Sequence, residues 1–294
     1  MTAAASRLRH SPAQQIVAGT PDPQPDGSFD TSRAPAKSRP VVRVENLVMR
    51  YGGAEPVVAG ADLTVSAGEI ASLVGPSGSG KSTILRAIAG LHIPASGSIE
   101  RDADEREVGF LFQDDALLPW RTAHQNVALG MRLRGMSKAA ALDEAEQWLA
   151  RLGIGGFGDR YPHMLSGGQR KRVGLVQVLI RDPKILLMDE PFGPLDAQTR
   201  QIMGNLLLDL WSADRKAVLF VTHDLEEAIA LSDRVVIMSA GPAARIIGNW
   251  TVPLPRPRDI SEVKLERAFH ELHREIWEAL KDEVMKGYQQ TGGG

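Results

Sequence analysis

The stretch GPSGSGKST holds Gly75, Pro76, Ser77, Gly78, Ser79, Gly80, Lys81, Ser82 and Thr83, and its first eight residues fit the pattern G-x-x-x-x-G-K-[ST]. Phosphate oxygens need several backbone N–H donors at once. Glycines let the chain curl around them, and a following helix presents its positive end. Lys81 is then placed for the β- and γ-phosphates and Ser82 for Mg2+. Downstream, ILLMDE ends an apolar run in two acids, Asp189 and Glu190. Such acids are costly at the end of a buried strand unless they face the cleft at its carboxyl end, where α/β sheets bind ligands. Asp189 is the candidate for the Mg2+ shell, and Glu190 the candidate to polarise an attacking water. LFVTHD repeats the arrangement and delivers His223 to the same edge. A solitary histidine after a strand is more often structural; its company here favours a reacting role. Gln113, after VGFLF, can reach the metal or the water, although its residue type alone does not single it out.

A second glycine pair raises a separate question. HMLSGGQRKRV places Ser166, Gly167, Gly168 and Gln169 at a helix start, which can also bind an anion. Arg170, Lys171 and Arg172 follow, and read either as a nucleic-acid patch or, more ordinarily, as a solvated helix face. The formal net charge of −2 weakens the first of these. Tyr51, ahead of the glycine loop, is a candidate for stacking on a base. No N-K-x-D segment occurs, which disfavours a guanine-specific GTPase. His270 and His273 stand at i, i+3 with no third ligand in view and read as a solvated face.

These side chains need a scaffold to hold them. VVRVENLVM, ADLTV and EIASLVG read as strands, the last running into the glycine loop, and STILRAIAGL places Ile84, Leu85, Ile88 and Leu91 at helical spacing. KILLMDEP, AVLFVTHD and RVVIMSAG are short apolar runs of the kind found in parallel strands buried on both faces. The predicted class is α/β with a mostly parallel core. Between about residues 113 and 174 the strand signals vanish and helical ones take over, as in KAAALDEAEQWLARLG, so a helical subdomain is inserted in that core. Residues 1–40 are rich in Pro, Ala, Ser and Asp without hydrophobic period and read as an unstructured tail. Residues 251–294 read as a proline-rich connector and an amphipathic helix that docks Leu265, Phe269, Leu272, Ile276 and Leu280 on the core. With no cysteine in 294 residues, disulfides and thiolate chemistry are excluded. Apolar runs such as ILLM fall far short of the ~20 residues that span a bilayer, and no secretory signal is evident, so a cytoplasmic location is expected.

Taken together, residues 75–83, Gln113, LSGGQ, ILLMDEP, the PLD that ends in Asp196, and His223, in this order, resemble the nucleotide-binding subunit of ATP-binding cassette (ABC) transporters over residues 41–250. The resemblance implies the P-loop ABC-ATPase fold, with an antiparallel β region beside the parallel core. It also implies ATP and Mg2+ as ligands, with Ser82, Gln113 and Asp189 around the metal. Tyr51 becomes the adenine-stacking aromatic, and Lys81, Gln113, Glu190 and His223 the catalytic set. Leu165, Ser166, Gly167, Gly168 and Gln169 become the signature that closes over the γ-phosphate bound by another copy. Asp196 becomes an interface-loop residue in a head-to-tail homodimer. A finer resemblance, carried by FQDDALLPWRTAHQNVALG, PFGPLDAQTR and PLPRPRD, is to import ATPases for nitrate, aliphatic sulfonates and taurine. It implies a membrane permease, a solute-binding protein and a peripheral place on the inner membrane's cytoplasmic face. Leu117, Leu118, Pro119 and Trp120 would then lie by the groove for the permease's coupling helix, where an exposed Trp120 fits a partner and a buried one fits a core. The alternatives are a soluble cassette acting on nucleic acid or ribosomes and a regulatory module without turnover. One cassette, a short gap between the glycine loop and the acidic strand, and an intact Glu190 and His223 favour transport, with no nucleic acid as partner.

Overall fold

The computed structural model describes residues 39–53 and 55–291. The expected tail lies outside them except for Arg39 and Pro40, and Pro40 already opens the first strand. Strands β1 (Pro40–Met49) and β2 (Val58–Ser66) form a hairpin, and β3 (Ile70–Val74) leads through the glycine loop into helix α1 (Lys81–Ile88). β4 (Ser96–Arg101) and β5 (Val108–Leu111) follow, then α2 (Ala123–Leu133), α3 (Lys138–Arg151) and α4 (Gly167–Leu179). The chain continues through β6 (Ile185–Asp189), α5 (Ala197–Ala213), β7 (Ala217–Thr222), α6 (Leu225–Leu231), β8 (Arg234–Met238) and β9 (Ile246–Thr251). It ends in α7 (Ile260–Val263) and α8 (Arg267–Thr291).

A three-stranded antiparallel sheet runs β2-β1-β4, and a six-stranded sheet runs β5-β6-β7-β3-β8-β9, parallel except for β9. Every residue of β3, β6 and β7 is buried, as their unbroken apolar runs require. Alternation along β3 feeds two core layers. Ile70 and Val74 face a layer shared with the helices after β5 and with α8, while Ala71 and Leu73 face one shared with the small sheet and α1.

The register of the large sheet is what assembles the site. Leu111 pairs with Met188, Asp189 with Val221, and Val74 with Thr222. The carboxyl ends of β5, β6, β7 and β3 are therefore level. The next residues along each strand bring Gln113, Glu190, His223 and Gly75 to one edge.

The helical region is built by local signals. Thr122 and Gln125 close a capping box on α2, Ser137 caps α3, and Gly153 in the left-handed region follows α3. Val127, Ala128 and Met131 of α2 share the core with Ala141, Ala145 and Leu149 of α3.

Two apolar residues fall outside their expected faces. Leu91 is exposed because α1 ends at Ile88. Gly90 then adopts φ 78°, and the amides of Gly90 and Leu91 turn back to the carbonyls of Ala87 and Arg86, which reverses the chain before Leu91. Leu265, 76% exposed, precedes α8: the chain turns after α7 and the helical phase restarts at Arg267. Phe269, Leu272, Ile276 and Leu280 do bury one face of α8 in the main core, each contributing roughly 1.5–3 kcal/mol. Hydrogen bonds from Trp250 Nε1 to Glu275 (2.8 Å) and from the Ala240 amide to Glu283 (2.8 Å) fix its register.

Candidate functional site

The glycine loop joins β3 to α1 through Gly80, whose φ of 84° is a left-handed conformation that a side chain rarely adopts. A Cβ there would also lie 2.6 Å from Val58 Cγ2, so the small sheet and the loop require glycine for two reasons. No side chain caps α1, and its first N–H groups have no carbonyl within the helix to bond. The Lys81 ammonium folds into the loop and donates to the carbonyls of Gly75 and Pro76, both at 2.8 Å. Burial pushes it down to about 8, against the opposing attraction of Glu190 and Asp189.

Beside the loop, Ser82 Oγ donates to Asp189 Oδ1 at 2.6 Å, and Arg86 Nη2 lies 3.5 Å from Asp189 Oδ2. The Asp189 carboxylate is wholly buried, so these two partners offset its desolvation. Glu190, next along, is forced to φ 44°, a strain of roughly 1–3 kcal/mol in a residue without glycine's freedom. Its amide donates to Val221 O (3.0 Å), which ties this turn to β7. Gln113 Nε2 donates to Glu190 Oε2 at 3.3 Å, and His223 Nδ1 stands 3.4 Å from Glu190 Oε1. Glu190 thus sits between an amide and an imidazole at the mouth of the phosphate loop.

The structure brings together residues 75–83, Gln113, Asp189, Glu190 and His223, and it does not bring Ser166–Gln169 to them. Ser166 caps α4: its hydroxyl accepts from the Gln169 amide (3.3 Å) and Gln169 Oε1 accepts from the Ser166 amide (2.9 Å). Ser166, Gly167, Gly168 and Gln169 line a separate cleft of about 530 Å³ with Pro194 and Asp196. Asp196 caps α5 and accepts from the Thr199 amide (2.9 Å) and hydroxyl (2.7 Å), bonds that hold its carboxyl below the usual range. Tyr51 is half exposed, and its hydroxyl pairs with His92 Nδ1 at 2.6 Å.

The basic run after the signature is not the expected solvated face. Lys171 is buried and donates to the carbonyls of Gln113 and Phe112, with Asp115 3.3 Å away. Arg170 pairs with Asp115 (2.9 Å), and Arg172 donates to Leu152 O (3.1 Å). The reason is positional: the segment after β5 lies across the first turn of α4, where Lys171 satisfies its carbonyls and Arg170 its Asp115 carboxylate. Residue type alone could not reveal this. Arg86 was legible in principle, since it stands four residues after Ser82 on one helix face. His270 is exposed, whereas His273 is half buried and stacks on Phe269, with ring centroids 6.4 Å apart. Trp120 is 70% exposed, while Leu118 is fixed by its backbone bonds to the buried Asn126.

A phosphate loop on a buried parallel sheet, with an acidic strand end, a glutamate and a histidine on the same edge, defines a P-loop nucleoside triphosphatase. Residues 58–193 match the family model described as ABC transporter. An uncharacterized ABC transporter ATP-binding protein of Methanocaldococcus jannaschii is 42% identical over 253 residues, covering 83% of this chain and 93% of that protein. The taurine import ATP-binding protein TauB of Escherichia coli (strain K12) is 43% identical over 207 residues, covering 69% and 81%. Among solved structures, a dimeric post-hydrolysis state of the ATP-binding cassette MJ0796 bound to ADP and Pi superposes with a TM-score of 0.65 at 30% identity, over 73% of this chain and all of that one. The chain belongs to the ABC transporter family, as an ATP-binding, ATP-hydrolysing subunit of that class. Among the described residues, no helix is long and apolar enough to cross a membrane.

Proposed function

We propose that two copies of this chain close head to tail on two ATP molecules and that the cycle drives a separate permease importing a small anion or organosulfur solute. Aliphatic sulfonate, taurine or nitrate is the substrate class, handed to the permease by a solute-binding protein, while this chain sits peripherally at the cytoplasmic face of the inner membrane. The observation that carries the reading is the separation of two half-sites within one chain. Gly75, Pro76 and Ser77 of the phosphate loop line one cleft with His223, and Ser166–Gln169 with Asp196 lines another, with no lining residue in common. A second copy related by a two-fold axis supplies each half with the other. The importer assignment and substrate class rest on similarity to TauB.

In this reading the loop amides and Lys81 hold the phosphates, and Tyr51 stacks on the adenine. Glu190 accepts a proton from the attacking water while Gln113 and His223 orient it. Ser82 and Asp189 offer adjacent hard oxygen donors, with Gln113 nearby, a set that suits Mg2+. Bound there, Mg2+ would supply positive charge that offsets the negative charge of the phosphates. Asp196 belongs to the loop that meets the partner, and the exposed Trp120 faces the permease. Deleting the gene and measuring uptake of labelled taurine, an alkanesulfonate and nitrate tests the assignment. Loss of uptake of one of them, restored by the wild-type chain and not by Glu190→Gln, is expected. Normal uptake of all three contradicts the substrate class.

A further inference from the structure

α8 is more than a buttress at the end of the chain. Its carboxyl-terminal half runs to the phosphate loop: a Cβ on Gly287 would lie 3.0 Å from Pro76 Cβ, and Glu283 accepts the Ala240 amide from the turn after β8. Between α8 and the strand ends lies a cleft of about 770 Å³, walled by Pro76, Ser77 and His223 on one side and by His273, Trp277 and Val284 on the other. His273 is held by its stack on Phe269, and Trp277, one turn later on the same face, is 43% exposed. A tryptophan left half in water at the rim of a site is the residue type enriched at interface anchors.

A second apolar side chain is left open on the opposite half-site. Gly168 sits so close to α5 that a Cβ on it would be 2.8 Å from Thr199 Cγ2, so the signature and the start of α5 form one continuous surface. Pro194, Asp196, Ala197, Gln198, Gln201 and Ile202 are exposed along that start, with Gln198 and Ile202 at i, i+4 on one stripe, and Ile202 is 54% exposed. The cleft beside α8 is continuous with the phosphate loop, and the stripe on α5 is continuous with the signature.

From these two surfaces we infer that the cleft between α8 and the phosphate loop receives the start of α5 from a second copy, with Trp277 packing on Ile202 of the partner subunit. The inference deepens the homodimer reading and rests on it. Two-fold symmetry makes the contact twice, once at each end of the interface. The appended helix becomes part of the ATP-driven closure, and its position reports on the same loop that binds the phosphates. An unrelated partner would have to leave before each closure, because Pro76, Ser77 and His223 wall the cleft.

The test uses the full-length Glu190→Gln chain, in which ATP binding without rapid hydrolysis is expected, and measures the dimer dissociation constant with ATP by sedimentation. Trp277→Lys and Ile202→Glu, made separately, should each weaken the dimer by roughly thirty-fold or more. ATP affinity measured at monomer concentrations should be unchanged. Combining the two changes pairs a lysine with a glutamate across the interface and should restore much of the loss. A dimer unaffected by Ile202→Glu, or weakened by both changes without recovery in combination, overturns the inference while leaving the homodimer standing. Ile202 is exposed in the single chain, so its variant carries the test even if Trp277→Lys fails to fold. Absence of any ATP-dependent dimer in the parent chain overturns both.

Discussion

Glu227, one turn into α6 beyond His223, allows a quantitative prediction. It is buried, and its Oε1 has no hydrogen-bond partner among the described residues. Burial pushes its carboxyl up to about 8, with the neighbouring Asp224 adding to the rise and Arg200 and Thr222 opposing it. The folded chain therefore keeps a proton that the unfolded chain releases near the ordinary value of 4.5. Above that value the unfolded state binds fewer protons, so stability falls as pH rises, and the fall stops near pH 8 where the folded carboxyl also ionises. The contribution is full below about pH 4.5 and amounts to on the order of 5 kcal/mol across the window. Glu227→Gln keeps the shape and stays neutral. Urea unfolding of wild type and variant at pH 5 and pH 8.5 should give similar stabilities at the lower pH. At the higher pH the variant should be more stable by a few kcal/mol. Parallel pH dependences in the two proteins would refute the burial argument, because they would mean that Glu227 is hydrated or paired in the fold.

Other perturbations address the site. Glu190→Gln should leave ATP binding intact and slow hydrolysis by about 10²- to 10⁴-fold, read as single-turnover ATPase; undiminished turnover would remove Glu190 as the base. Lys171→Met removes the buried ammonium that holds the Gln113 and Phe112 carbonyls and should cost roughly 3–5 kcal/mol of stability in a denaturation curve, with a lower kcat for ATP in the folded fraction. Gly80→Ala forces a side chain into the left-handed turn and against Val58, and should abolish ATP binding measured by a fluorescent analogue.

The central strands are readable because they are buried on both faces: ILLMD and AVLFVT are apolar up to their last residues, Asp189 and Thr222, where each strand reaches the site. β4 and β9 are not, since SGSIER and IIGNWT lie at sheet edges, are only partly buried, and carry glycine and polar residues. The phosphate loop, Asp189, Glu190 and His223 are legible because their spacing follows strand ends, and parallel register makes those ends level. What spacing cannot convey is pairing across the fold. In the sequence Lys171 reads as one of three solvated cations; in the fold the segment after β5 lies over it. Arg86 and His92 acquire meaning only from Asp189 and Tyr51, which are distant in sequence. Leu265 and Leu91 matched a helical period but stand beyond the turns that end or restart the helix, where period no longer determines which way a side chain faces.

The claim that each ATP site is shared between two copies is tested most directly by mixing two inactive chains. Lys81→Ala disables the phosphate loop of one chain, and Ser166→Glu places a bulky acid in the signature of the other. Each alone should hydrolyse ATP at background rate, and Ser166→Glu should bind ATP as a monomer with unchanged affinity. In a mixed dimer one site carries both lesions and the other carries none. Steady-state ATPase of the mixture should therefore rise well above that of either chain alone. A mixture that stays as inactive as its components, although sedimentation shows mixed dimers, would contradict the shared site.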